Sequence, residues 1–203
     1  MIYLAWNPNT AYTLERHAGD VPVRLLVALP DIRAFLKVKD RFNIDQWFLD
    51  SGAFGAHNSG KPVVLDEYMA ICKDTDAAEV AGLDVIGDPD GTRRNVEKMV
   101  ESGINAIPTF HYGSDWCHLE WAVSFAPKIA LGGVARMSTK KRTEWIKQCF
   151  ARVYPKPMHG FGITNKGVLM DVPFHSVDAS SWQLAPLRYG RWRGFRAMEN
   201  TDR

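Results

Sequence analysis

The chain has 203 residues, 46% of them hydrophobic and 24% charged, with a formal net charge of +2. Such a length and balance fit one globular domain with a substantial core and exclude a disordered chain. The small net charge gives no sign of nucleic-acid binding by itself, but Arg188, Arg191, Arg193 and Arg196 crowd the end of the chain.

Cys72, Cys117 and Cys149 stand far apart, without C-x-C or C-x-x-C spacing. That argues against a disulfide framework or a cysteine zinc site and for a reducing compartment. The first residues, Met1-Ile2-Tyr3-Leu4-Ala5-Trp6, form a strand-length apolar run with no basic leader. Nothing approaches the roughly 18 consecutive apolar residues of a membrane span. A cytoplasmic protein with no membrane partner is expected.

In chain order, Ile2 to Trp6 reads as a strand, and Thr10 is placed to cap a helix over Tyr12-Thr13-Leu14-Glu15. Val23 to Leu29 is nearly continuous in apolar character, as a strand buried on both faces requires, and Asp31 precedes a helix over Ile32 to Leu36. Gln46 to Asp50 is a third strand, followed by the small-residue loop Ser51-Gly52-Ala53-Phe54-Gly55. Ala56 to Pro62 reads as loose loop, and Leu65 to Cys72 has helical spacing.

Gly82 to Gly87 is read as the fourth strand, with Thr92 capping a helix from Arg93 to Glu101 that Gly103 ends. Ile104 to Phe110 is a fifth strand, weakened by Pro108, which removes a ladder donor. Ser114 is placed to cap a helix over Trp116 to Phe125, and Lys128 to Leu131 is a sixth strand leading into Gly132-Gly133. Ser138 opens the longest helix, Lys140 to Val153, with Trp145, Cys149 and Val153 on one side. Pro157 to Gly162 contains a seventh strand, Lys166 to Met170 a short helix, and Phe174 to Asp178 the eighth strand.

Strands alternating with helices through short connections predict an α/β fold, with a compact (β/α)8 TIM-type barrel as the leading architecture and an open doubly wound sheet as the other solution. A single domain over residues 1–203 is expected, because no linker, repeat or low-complexity tract divides the chain. At about 250 residues for a typical barrel, the helices and loops here must be trimmed. Several runs end in chemistry: Asp50-Ser51-Gly52, Gly87-Asp88-Pro89, His111, Gly132-Gly133 and Asp178. Loops after the strands build the active site in barrels of parallel strands, which makes Asp178 a candidate nucleophile.

The order Asp50-Ser51-Gly52-Ala53-Phe54, Asp88, Gly132-Gly133-Val134-Ala135, Gly160-Phe161-Gly162 and Asp178 resembles the tRNA-guanine transglycosylase superfamily. That family has a D-S-G-G-[FY] loop, a base-reading Asp, a G-G-[LV]-A turn, a G-[VI]-G turn and a nucleophilic Asp near the end of its barrel. Arg188-Tyr189-Gly190 is similar to its R-x-G segment, so the likeness runs from about Asp50 to Gly190. The C-x-C-x-x-C and His zinc segment of the tRNA enzymes is missing. In that respect, and in Asp178-Ala179-Ser180-Ser181-Trp182, the chain is similar instead to the phage and bacterial 7-deazaguanine DNA transglycosylases.

What the resemblance implies is exchange of guanine in DNA for a preformed 7-deazaguanine such as preQ0, with no cofactor and no metal. Asp178 would be the nucleophile that traps an oxocarbenium-like sugar, and Asp50 the general base. Asp88 would take the N1 and amino edge of the base, a backbone N–H of Gly132 or Gly133 its carbonyl oxygen, and His111 would hold it. Phe54 and His159 would flank it, beside Ser51. A blander reading stands beside each of these: Asp50 and Asp88 as helix-capping or turn aspartates, His159 and Phe54 as core packing, His111 as a hydrogen-bonded strand-end histidine, and the glycines as a tight turn.

Residues 182–203 interleave Trp182, Tyr189, Trp192 and Phe195 with the four arginines, a pattern suited to phosphates and unstacked bases and also to a solvated helix. DNA and the free base are the partners that the resemblance implies, and a homodimer like that of the tRNA enzymes is a further expectation of it. Base exchange in RNA, a metal-dependent hydrolase using Asp84, His111, His159 and Asp178, and a non-catalytic nucleic-acid-binding barrel are the competing readings. The metal reading lacks the early H-x-H of such hydrolases.

Overall fold

The structure is a computed structural model and describes residues 1–135 and 137–180. Trp182, Arg188, Arg191, Arg193 and Arg196, with the aromatics among them, lie outside the described residues.

The strands are β1 (Ile2–Trp6), β2 (Val23–Ala28), β3 (Ile44–Asp50), β4 (Glu79–Ala81), β5 (Ala106–Ile107), β6 (Thr109–His111), β7 (Ile129–Gly132), β8 (Met158–Gly160) and β9 (Ser176–Ala179). They form one nine-stranded sheet in the order β5-β4-β3-β2-β1-β9-β8-β7-β6, and every pairing is parallel. The helices that cross between strands are α1 (Pro8–Ala18), α2 (Ile32–Leu36), α3 (Ala53–Ser59), α4 (Leu65–Lys73), α5 (Pro89–Glu101), α6 (Trp116–Phe125), α7 (Thr139–Val153) and α8 (Lys166–Asp171). The two ends of the strand order, β5 and β6, are consecutive in the chain and separated only by Pro108, so the sheet curls almost completely into a barrel. Among the described residues no helix is long and apolar enough to cross a membrane.

Two-residue periodicity sorts the strand residues onto the barrel's two faces. Tyr3, Leu26, Phe48, Ala81, Ile107 and Ala130, from different strands, pack together as one buried inner cluster with Phe161 against it. Their neighbours Leu25, Val27, Trp47 and Leu49 face outwards and pack with α2, α4 and α5 through Phe35, Tyr68, Val96 and Met99. On the other side Leu131, Met158 and Val177 pack with Leu119, Ile146 and Phe150 of α6 and α7. At the N-terminal end of the barrel, Lys128 Nζ lies 2.7 Å from both oxygens of Glu79, and Gln46 Nε2 donates to the Tyr3 hydroxyl at 2.7 Å.

Several boundaries differ from the sequence reading. Helix α1 begins at Pro8, before Thr10, and of the stretch Ala56 to Pro62 expected to be loose loop the part up to Ser59 belongs to α3. The fourth strand is Glu79–Ala81 rather than Gly82 to Gly87: Gly82 N–H makes a last bond to Ile107 O at 2.8 Å, and the chain then leaves the ladder. A side chain at Gly82 would run into Val96 Cγ2, 2.5 Å from an ideal Cβ, so the helix packs directly on backbone there. Helix α5 starts at Pro89 with Asp88 as its cap, while Thr92 Oγ1 accepts from the Val85 N–H. The expected fifth strand is cut into β5 and β6 at Pro108, whose missing N–H interrupts the ladder while its carbonyl still accepts from Ala130 N at 2.8 Å.

Candidate active site

A cleft of about 790 Å³ opens at the C-terminal ends of the strands, with Ala28, Asp50, His111 and Gly132 from four strand ends on its walls. Asp50 follows Phe48 with the inward parity of β3 and ends that strand. Burial pushes its pKa up, and the charges of Asp178 and Asp84 add to the rise. Hydrogen bonds from the Gly52 and Ser51 N–H groups pull it down, and the balance lies at about 7. A carboxyl poised there can give and take a proton at neutral pH.

The turn that follows keeps its backbone close to the cleft wall. Gly52 has φ 68°, a left-handed conformation costly for other residues, and a Cβ there would sit 2.9 Å from Pro30 Cδ. Ser51 is buried, and Phe54, on the first turn of α3, presents an exposed ring to the cleft. Gly132 lets the His111 ring lie against the main chain: a Cβ there would be 3.2 Å from His111 Cδ2 and 3.3 Å from Nε2. Gly133 completes this wall.

Asp84 also lines the cleft, from the loop after β4. Its Oδ2 lies 3.2 Å from His111 Nε2, and its Oδ1 is buried with no hydrogen-bond partner among the described residues. An unpartnered buried carboxylate oxygen is costly unless something donates to it. For His111, burial opposes protonation, but the hydrogen bond and charge of Asp84 outweigh it, and the pKa is raised.

Asp178 is inward-facing on β9, opposite Tyr3, and is 8% exposed. Its Oδ1 accepts from the Gly162 N–H at 2.7 Å. Gly162 and Phe161 line the cleft, so Asp178 lies directly beneath its wall, within electrostatic reach of Asp50.

Two expectations are corrected. Asp88 does not face the cleft with a free carboxylate: its Oδ1 accepts from Gly91 N at 2.9 Å as the cap of α5, and its Oδ2 pairs with Arg94 at 3.4 Å. The carboxylate in that loop available to a ligand is Asp84, four residues earlier. His159 does not flank the cleft either. Met158 of β8 faces the outer core, so His159 points into the barrel, where it is fully buried between Tyr3, Phe48 and Phe161 at ring distances of 6.0, 5.0 and 4.6 Å. The four residues of the metal reading split into two pairs, Asp84 with His111 and His159 with Asp178. Among the described residues no group of three or more His, Cys, Asp or Glu is arranged to hold a metal ion.

The arrangement offers a carboxyl with a pKa near neutrality, a second carboxylate in Asp84, a histidine, exposed backbone and an aromatic ring around one cavity, with Asp178 beneath its wall. No known family model matches the sequence, and no curated protein is significantly similar to it.

Proposed function

We propose that this protein exchanges guanine in DNA for a free 7-deazaguanine base such as preQ0, through a covalent glycosyl ester on Asp178. The observation that carries this reading is the placing of Asp50 and Asp84 on one cleft with Asp178 beneath its wall, the pKa of Asp50 being held at about 7 by burial and by the charges of the other two. An N-glycosidic bond breaks through an oxocarbenium-like sugar, which needs a carboxylate to trap it and a second group to carry the leaving base's proton. Ala106 to His111 is taken here as one strand bent at Pro108, which makes the barrel an eight-stranded (β/α)8 unit with its chemistry at the C-terminal face.

In the first displacement a carboxylate oxygen of Asp178 bonds to C1′ as the C1′–N9 bond breaks. The bonding pair goes to N9, and Asp50, carrying its proton, supplies it to the departing guanine. In the second, N9 of the 7-deazaguanine bonds to C1′, its proton passes to Asp50, and the ester oxygen leaves with its electron pair. Two inversions retain the configuration at C1′. Asp84 Oδ1 accepts from the N1 and amino donors of the base, in the role first expected of Asp88. Phe54 offers a stacking ring, and a Gly132 or Gly133 N–H meets the base's carbonyl oxygen. The arginines and Trp182 of residues 182–203 fit the phosphates and the flanking bases.

The test is incubation of purified protein with guanine-labelled duplex DNA, single-stranded DNA and tRNA, each with and without preQ0. Release from DNA that requires preQ0 and is lost in Asp178→Ala supports the proposal. Release from tRNA alone moves the activity to RNA, and binding without release in any arm leaves a nucleic-acid-binding barrel.

A further inference from the structure

Beneath the cleft, strands β8 and β9 place His159 directly beside Ser176, both wholly buried. His159 Nδ1 and Ser176 Oγ are 2.9 Å apart, and His159 Nε2 lies 3.5 Å from Asp178 Oδ1 with no hydrogen-bond partner among the described residues. The ring is otherwise enclosed by Tyr3, Phe48 and Phe161.

The tautomer follows from counting protons. The Ser176 hydroxyl is wholly buried and has one proton, and His159 Nδ1 is the acceptor beside it. If Nδ1 carried the ring proton, the hydroxyl proton would be buried without an acceptor and the Nε2 lone pair would face a carboxylate. Both costs vanish when Ser176 donates to Nδ1 and the ring proton sits on Nε2. Burial keeps the imidazole neutral, lowering its pKa against the partial offset from Asp178. Both contacts to Asp178, from the Gly162 N–H at 2.7 Å and from His159, fall on the same oxygen, Oδ1.

Resting on the transglycosylase reading above, we infer that His159 is a positioning residue: Ser176 turns its Nε2–H towards Asp178, so that His159 and Gly162 hold Oδ1 and leave Oδ2 to attack C1′. In the ester, Oδ1 is the carbonyl oxygen and keeps the Gly162 hydrogen bond. When the 7-deazaguanine N9 displaces Oδ2, the electron pair of the C1′–Oδ2 bond returns to the carboxylate, whose restored charge the same two donors stabilise.

Two measurements on the full chain decide this. Nitrogen NMR of His159 reads the tautomer without any substrate: protonation on Nε2 in the wild type, lost or mixed in Ser176→Ala, is the expected result, and protonation on Nδ1 overturns the inference. Trapping the protein–DNA ester reads the consequence. The H159F/S176A double variant fills the same apolar space and leaves no buried hydroxyl unpaired. It should fold, bind free 7-deazaguanine as the wild type does, and form the ester about 10²-fold more slowly, the scale of a small misplacement of a reacting group. His159→Gln, whose side-chain amide can donate from nearly the same place, should recover most of that rate. A folded double variant with the wild-type rate overturns the role of His159 while leaving the transglycosylase reading intact. A wild type that forms no ester and exchanges no base overturns that reading, and the attack by Oδ2 with it.

Discussion

Asp84 Oδ2 and His111 Nε2 meet at 3.2 Å, joining the loop after β4 to the end of β6 across the cleft. This contact raises the pKa of His111 in spite of its burial. A raised folded-state pKa means the stabilisation is complete below the unfolded value of about 6.5 and is lost as pH rises through the folded value. Asp84→Asn should therefore lose about 1.5–3 kcal/mol of stability at pH 6 and clearly less at pH 9, measured by urea unfolding. Equal losses at both pH values would mean that the charge on His111 is not what Asp84 stabilises.

Asp50 shifts in the same direction, but through burial rather than through a partner. Its pKa rises from 3.8 to about 7 in the folded protein, so folding disfavours its ionised form. Wild-type stability should fall as pH rises from about 4 to about 7 and then level off, by on the order of 4 kcal/mol. Asp50→Asn should remove that slope and be the more stable protein at pH 8, while being unable to exchange bases. A pH–stability curve with the same slope in both proteins would place the effect elsewhere.

The same group should divide the reaction into limbs of opposite slope. On the proposed mechanism guanine release needs protonated Asp50 and should slow above about pH 7, whereas return of 7-deazaguanine from the trapped ester needs ionised Asp50 and should slow in acid, with its midpoint at lower pH because the ester removes the charge of Asp178. Because the charge of Asp84 contributes to the rise, Asp84→Asn should move both limbs to lower pH. Single-turnover rates of each half-reaction across pH 5–9 check this.

At the other end of the barrel, Lys128 is 9% exposed and lies 2.7 Å from both Glu79 oxygens. Removing one partner of such a pair strands the other, at a cost of about 3–5 kcal/mol when burial is complete. Lys128→Met should destabilise by about 3 kcal/mol, and adding Glu79→Leu should recover much of the loss. Additive losses in the double variant would show that the two residues do not act as a pair.

Gly132→Ala tests the cleft wall. Its Cβ would press on His111 at 3.2 Å and on Thr109 Cγ2 at 3.0 Å, displacing the imidazole from Asp84. Binding of free 7-deazaguanine should weaken about tenfold, some 1.4 kcal/mol, with the far-ultraviolet circular dichroism unchanged. Unaltered binding would separate the base site from His111.

Most of the barrel was legible in the sequence because fully buried parallel strands need unbroken apolar runs, and Val23 to Leu29 or Lys128 to Leu131 are hard to read otherwise. The fourth strand was not, because Val85 and Ile86 look as strand-like as Val80 and Ala81. Placing the strand there put its end at Asp88 and left Asp84 to the metal reading alone. The glycine at position 82, where a helix packs on bare backbone, was the available signal. His159 was misplaced for a related reason: alternation with Met158 and Gly160 assigns it to the barrel interior, but three residues are too short a run for the period to stand out. The pKa of Asp50 depends on Asp84 and Asp178, far away in sequence, and only folding brings them near.

Pro108 has a consequence for how the rim responds to an occupant. Below it, β5 is hydrogen-bonded to β4; above it, β6 is bonded to β7. On the side of β4 the main-chain ladder thus stops short of the mouth, and what spans the remaining gap is the pair of side chains Asp84 and His111. Because that pair uses Oδ2 and leaves Oδ1 without a partner among the described residues, an occupant can take Asp84 without undoing the clasp that completes the rim, and a proton on His111 strengthens the clasp it meets.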